Sequence, residues 1–153
     1  MDAKVTVSLP RDAHYVAVVR SLAERLLRDA EAPSDAVDDA KLVVSEACGN
    51  AVRHATGASA YSVTVAVDDH GFEVEVADHG PGLGASRRDG ETDSEYGRGI
   101  MLMRALVDDL DFENADAGMR VRMRRRWDRN PFGSGPSQEE RIDGALEALG
   151  AAS

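Results

Sequence analysis

Two runs near the middle of the chain, YSVTVAV at 61–67 and FEVEVAD at 72–78, alternate apolar and polar residues with a period of two, and only Asp68, Asp69, His70 and Gly71 separate them. Alternation of this kind buries one face of a strand and wets the other. The short polar spacer folds the pair back as a hairpin of two half-buried strands. The chain is thereby committed to a sheet with one apolar face, and the rest of the sequence must supply the cover.

The flanking segments predict that cover. KVTVSLP alternates as an edge strand and stops at Pro10. From 12 to about 31, Tyr15, Val18, Val19, Leu22, Leu26 and Leu27 recur at helical spacing, and Pro33 breaks the pattern. Ser34 suits the N-cap of a second helix, with Asp35 at the positive end of its dipole, and the pattern runs to about 55, before Gly57. The stretch GPGLGASRRDGETDSEYG at 80–97 is too glycine-rich and polar for a core element and long enough for a functional lid. A helix over about 98–108 and strands at 110–114 and 119–126 complete the series. The expected fold is α+β: a two-layer sandwich whose mixed, mostly antiparallel sheet carries its helices on one face. This domain is expected to span 1–127. Residues 128–153 read as a linker, DRNPFGSGPSQ, and a short helix with Ile142, Leu146 and Leu149 on one stripe, too short to be stable alone in water.

Charge narrows the function. The net charge of −10 argues against a general nucleic-acid binder, whose phosphate contacts need a basic surface. Within that total, 68–118 holds 14 acidic and 4 basic residues, whereas 120–129 holds six arginines against Asp128. Most such runs are solvated surface, and the arginine ribbon is otherwise a candidate partner surface. The apolar stretches are too short for a membrane span, and the N-terminus carries no secretory pattern. The lone Cys48 and four scattered histidines form neither a disulfide nor a zinc-ligand spacing, which makes a reducing cytoplasm the simplest address.

Three segments carry chemistry. In SEACGNAVRHA, Glu46 and Asn50 lie about 40° apart on a helix, with Val37, Ala40, Val44, Ala47 and Ala51 on the other side. Asparagine is a poor helix-interior residue unless its side chain is used. The pair offers a general base and an oxygen ligand for Mg²⁺. Arg53 and His54, one turn on, are within reach of a phosphate, although His54 also reads as a structural histidine. In VADHGPGLG, Asp78 precedes Gly80, Pro81 and Gly82. Such residues make ordinary turns, yet a buried aspartate at a strand end also accepts from an exocyclic amino group while glycines admit a flat base. In YGRGIMLMRAL, Gly97 and Gly99 are expected to open a helix, presenting backbone N–H groups to phosphate with Arg98 beside them. Each segment alone also fits a plain structural role; their order along one chain carries the reading.

That combination, over nearly all of 1–127, resembles the GHKL (Bergerat-fold) ATPases and, among them, the RsbW-type anti-sigma factors that are also serine kinases. SEACGNAVRHA is similar to the family's N box, DHGPG to its DxGxG box and GRGIMLM to its second glycine box. The resemblance implies ATP and Mg²⁺ as cofactors, with Glu46 as general base, Asn50 as metal ligand and Asp78 as the adenine-reading carboxylate. It further implies that Arg53, His54, Gly80, Gly82, Gly97, Arg98, Gly99 and Ile100 line the nucleotide and lid. By the same resemblance the partners are a sigma factor and a STAS-domain anti-anti-sigma factor, the latter phosphorylated on serine or threonine, and the chain is a homodimer through the edge near 3–9. One departure stands out: Gly118 is followed by Met119, where the family commonly has a threonine whose hydroxyl supports phosphate binding. A non-catalytic module, in which nucleotide orders the lid for a regulator to bind, is the alternative that Met119 favours.

Overall fold

The structure, a computed structural model, describes residues 2–54, 59–78, 94–115, 118–127 and 136–151. Five strands, β1 (Ala3–Pro10), β2 (Ala60–Asp68), β3 (Gly71–Asp78), β4 (Asp109–Ala115) and β5 (Gly118–Arg126), form one sheet in the order β1-β2-β3-β5-β4. Each of these neighbour pairings is antiparallel. The hairpin forms in the register its alternation requires, Val63 opposite Val76 and Val65 opposite Val74, all four buried. Helices α1 (Val16–Asp29), α2 (Ser34–His54), α3 (Ser94–Leu106) and α4 (Gln138–Ala151) complete an α+β fold.

The core lies between sheet and helices, where Val63, Val65, Phe72, Val74 and Met123 from the strands meet Val19, Val37, Val44, Met103 and Leu106 from the helices. Helix α1 buries a narrower stripe than its apolar residues suggest. Val19, Ala23 and Leu27 are buried, whereas Tyr15 and Val18 are exposed, because α1 is an outer helix that packs mainly on α2. Ser34, expected as a cap, is instead the first residue of α2, and the Pro33 carbonyl accepts from the Val37 N–H.

The arginine ribbon is accounted for within the sheet. Arg120, Arg122 and Arg124 project from the outer face of β5, opposite Glu113, Asp111 and Asp109 on β4, while Arg122 and Arg124 also lie opposite Glu75 and Glu73 on β3. Arg122 Nη2 reaches Glu75 Oε2 at 3.0 Å and Arg120 Nε reaches Glu75 Oε1 at 3.3 Å. Among the described residues the charge of Arg120, Arg122 and Arg124 is paired with acids of the flanking strands, and these side chains stay about half-exposed. Arg125 alternates to the inner side and pairs with Asp35 and Asp39 of α2 at 2.9 Å each.

Candidate functional site

Helix α2 carries the first two functional groups, and it is covered on more sides than a two-faced helix. Asp39 and Asn50 are buried along with Val37, Ala40, Val43, Val44, Ala47 and Ala51. An amide at 5% exposure is not a solvent-facing residue, so the asparagine is held for a purpose or a partner. Its Oδ1 accepts from Arg53 Nη2 at 3.2 Å, one turn on. The C-terminal end of the same helix is fastened by Arg11, whose Nε donates to the Val52 carbonyl at 2.6 Å. This clamp fixes the turn that bears Asn50 and Arg53 relative to the end of β1.

Asp78, 7% exposed, ends β3. Its Oδ1 accepts from the backbone N–H of Met119 at 3.3 Å, which orients the carboxylate from the start of β5. The approach depends on Gly118, whose φ of +134° is one that side chains rarely adopt, and a side chain there would overlap the Asp78 carbonyl. Asn50 and Asp78 share a small cavity whose other walls are Ala47, Ala51, Val76, Met103, Phe112, Met119 and Val121. Apolar walls around one buried acceptor suit a flat heteroaromatic base that offers an amino group.

The second glycine segment departs from expectation. Helix α3 begins at Ser94, so Gly97 and Gly99 lie inside it rather than ahead of it. An N–H this far into a helix belongs to the intrahelical ladder and is no longer one of the free donors of the first turn. Gly99 serves another purpose. A methyl group in its place would fall 2.9 Å from Glu46 Oε2 and 3.9 Å from Asn50 Oδ1, so the missing side chain lets α3 sit on the functional face of α2. Gly97 and Arg98 are exposed, and Ile100 packs half-buried against the core. Gly80 and Gly82 lie outside the described residues, as does the side chain of His54, the last residue of α2.

Met119 is placed differently from a phosphate-binding residue. Its N–H is engaged by Asp78 and its side chain lines the same small cavity. Sequence reasoning also passed over Phe112, Met103 and Asp39. The alternation of Leu110 and Phe112 signals a buried face on β4, whereas nothing local marks Asp39, whose partners lie in β5 and α4.

Among the described residues no group of three or more His, Cys, Asp or Glu is arranged to hold a metal. Mg²⁺ keeps several waters and takes only one or two protein oxygens beside substrate phosphates, so it does not require such a group. Asn50 Oδ1, buried and neutral, is bonded to the Arg53 guanidinium at 3.2 Å, with Glu46 one turn away. No helix of the described residues is long and apolar enough to cross a membrane.

A cavity walled by the asparagine-bearing helix and the aspartate-ending strand defines the class of protein. The model of the histidine kinase-like ATPase domain matches residues 9–125, and the chain belongs to that family. Within it, the chain is 30% identical to the serine-protein kinase RsbW of Bacillus licheniformis over 145 residues, 86% of this chain and 90% of the relative. It is 29% identical to the serine-protein kinase RsbW of Bacillus cereus (strain ATCC 10987 / NRS 248) over 133 residues, 78% of this chain and 82% of that one. The crystal structure of the RsbU and RsbW domains of Rv1364c from Mycobacterium tuberculosis shares the fold with a TM-score of 0.62 at 19% identity. That match covers 81% of this chain and about a third of the other, 32%.

Proposed function

We propose that the chain is an ATP-binding anti-sigma factor and a serine/threonine kinase that phosphorylates a STAS-domain anti-anti-sigma partner and holds a sigma factor when that partner is phosphorylated. The observation that carries this reading is the shared cavity of Asn50 and Asp78, with Glu46 one helical turn from Asn50. Similarity to the RsbW kinases supports the choice of protein acceptor. The same similarity supports a cytoplasmic setting and a homodimer, for which β1, an edge of the sheet near 3–9, is the strand open to a second copy.

When bound, Mg²⁺–ATP supplies the γ-phosphoryl group and the charge neutralisation its transfer needs. Asp78 accepts a hydrogen bond from the exocyclic amino group of the base and so sets the register of the nucleotide. Asn50 would hold Mg²⁺ through Oδ1 once Arg53 turned from that oxygen, and the Arg53 guanidinium would then be free for a phosphate. Glu46 would accept the proton of the acceptor hydroxyl as that oxygen bonds to the γ-phosphorus and the bond from phosphorus to the bridging oxygen breaks, with ADP leaving. Gly80, Gly82 and His54 are assigned to the phosphate and lid side of the site on resemblance, as are Arg98 and Ile100, which lie within α3. The domain assigned to this work is 1–127, with 128–153 as an appendage.

The test is calorimetric titration of ATP and ADP with Mg²⁺ against wild type and Asp78→Asn, followed by γ-labelled ATP with a STAS-domain protein. Expected are binding by wild type, its loss in Asp78→Asn, and label on a partner serine or threonine that Glu46→Gln slows by about 100-fold or more. Label transfer by Glu46→Gln at the wild-type rate sinks the base assignment. The second reading, a nucleotide-dependent binding module without transfer, is favoured by Met119, which brings no hydroxyl to the site. Its signature is nucleotide binding with no label on any partner.

A further inference from the structure

Asp39 is fully buried on α2, and nothing in the proposed chemistry uses it. Seven residues before Glu46 and eleven before Asn50, it falls within about 20° of each around the helix. A buried carboxylate persists only when paired. Its partners are Arg125 Nε from β5 at 2.9 Å, and from α4 both Arg141 Nη2 at 2.7 Å and Gln138 Nε2 at 2.8 Å.

Helix α4 therefore grips α2 by one end of its inner side, and the remainder packs on α3. Its inner residues Gln138, Arg141, Ile142, Ala145 and Leu149 are half-buried at helical spacing, whereas Leu146 is exposed. Helix α3 in turn seats Gly99 against Glu46 and Asn50 so closely that a single methyl group would crowd the carboxylate. The helices are thus layered: α4 on α3, and α3 on the two functional side chains. The match to the histidine kinase-like ATPase domain ends at residue 125, before α4 begins.

We propose that α4 is an autoinhibitory latch: clasping Asp39 through Arg141 and Gln138, it presses α3 onto Glu46 and Asn50, and its release lets α3 draw back and opens the site to nucleotide. The direction follows from space. Phosphates and a hydrated cation need room beside Asn50 that the seated α3 takes up. Linkage makes the effect reciprocal, so a nucleotide that prefers the drawn-back α3 loosens α4 by the same factor. The affinity part rests on the nucleotide reading above; the mechanical part does not.

The test pairs hydrogen exchange with ADP titration on the full chain. Arg141→Ala with Gln138→Ala removes the clasp, Ile142→Ser removes apolar packing while keeping the clasp, and Leu146→Ser on the exposed side is the control. Expected in both latch variants are faster exchange over 138–151 and 94–106, retained protection of β2 and β3, and ADP binding tightened by about fivefold or more. The control matches wild type. In wild type, ADP speeds exchange over 138–151. The latch is overturned if α4 comes free and exchange over 94–106 stays at the wild-type rate, or if ADP binding is unchanged or weaker in the released variants. Loss of protection in β2 and β3 in both variants overturns it too, since α4 would then be a part of the core. Wild type that binds no ADP sinks the nucleotide reading instead, and exchange over 94–106 alone then decides the latch.

Discussion

Gly118 does more for the site than its position suggests. The residue lets the chain start β5 directly against Asp78, and the next N–H then holds that carboxylate. Gly118→Ala must strain both backbone and contact, at a cost of about 1–3 kcal/mol. The expected outcome is a lower urea midpoint together with weaker nucleotide binding, because Asp78 moves with the strand end. An unchanged midpoint would show that the backbone relaxes without cost. Glu46, Asn50 and Asp78 could be singled out as candidates from the sequence, since a carboxylate and an amide one helical turn apart and an Asp-His-Gly-Pro-Gly strand end are local patterns. Their surroundings were not. Helical spacing put Asn50 on the polar side of α2, but spacing reports only the angle around an axis, and the burial of Asn50 depends on the neighbours packed around α2.

At the scale of elements, the two kinds of arginine on β5 separate surface from core. Arg122 lies on the wet face, half-exposed beside Glu75 and Glu73, and ion pairs of that kind contribute little and are screened by salt. Arg125, 11% exposed, meets Asp39 at 0%. Among the described residues, removing Arg125 strips the buried Asp39 of one of its two cationic partners and leaves it to Arg141 alone, at a cost of about 1–3 kcal/mol. Arg122→Gln is therefore expected to leave the thermal midpoint almost unmoved, and Arg125→Gln to lower it sharply, with the larger effect surviving high salt. Equal shifts for the two variants would contradict the assignment of inner and outer faces. The glycine helix shows the limit of local signals at this scale. Gly97 and Gly99 suggested free N–H groups ahead of a helix, whereas the start at Ser94 draws them inside, and the use of Gly99 becomes visible only with Glu46 across from it.

For the molecule as a whole, Cys48 reports on the integrity of the core. Burial pushes its thiol from the usual 9.0 up to about 12, and burial first, then the neighbouring Cys48, pushes the Tyr61 phenol up as well. Both shifts favour the neutral groups of the native state. The stability they contribute is complete below the unfolded value near 9.0 and is lost as pH rises toward the folded value of about 12. At about pH 8 the native thiol is expected to resist a disulfide reagent that unfolded chain consumes at once. Rapid modification of native protein would mean that the core between α2 and β2 opens far more often than its packing implies.

The sequence by itself determined the nature and order of the elements and the two-faced hairpin, and marked three candidate segments, because each is written in spacings of a few residues. The order β1-β2-β3-β5-β4, the matching of β5 arginines to acids on both sides, and the closure of Asp39 by Arg141, 102 residues away, were decided by the tertiary structure. Periodicity states which face of an element must be covered. What covers it is settled by packing between distant segments, and neither charge nor spacing within one segment contains that information.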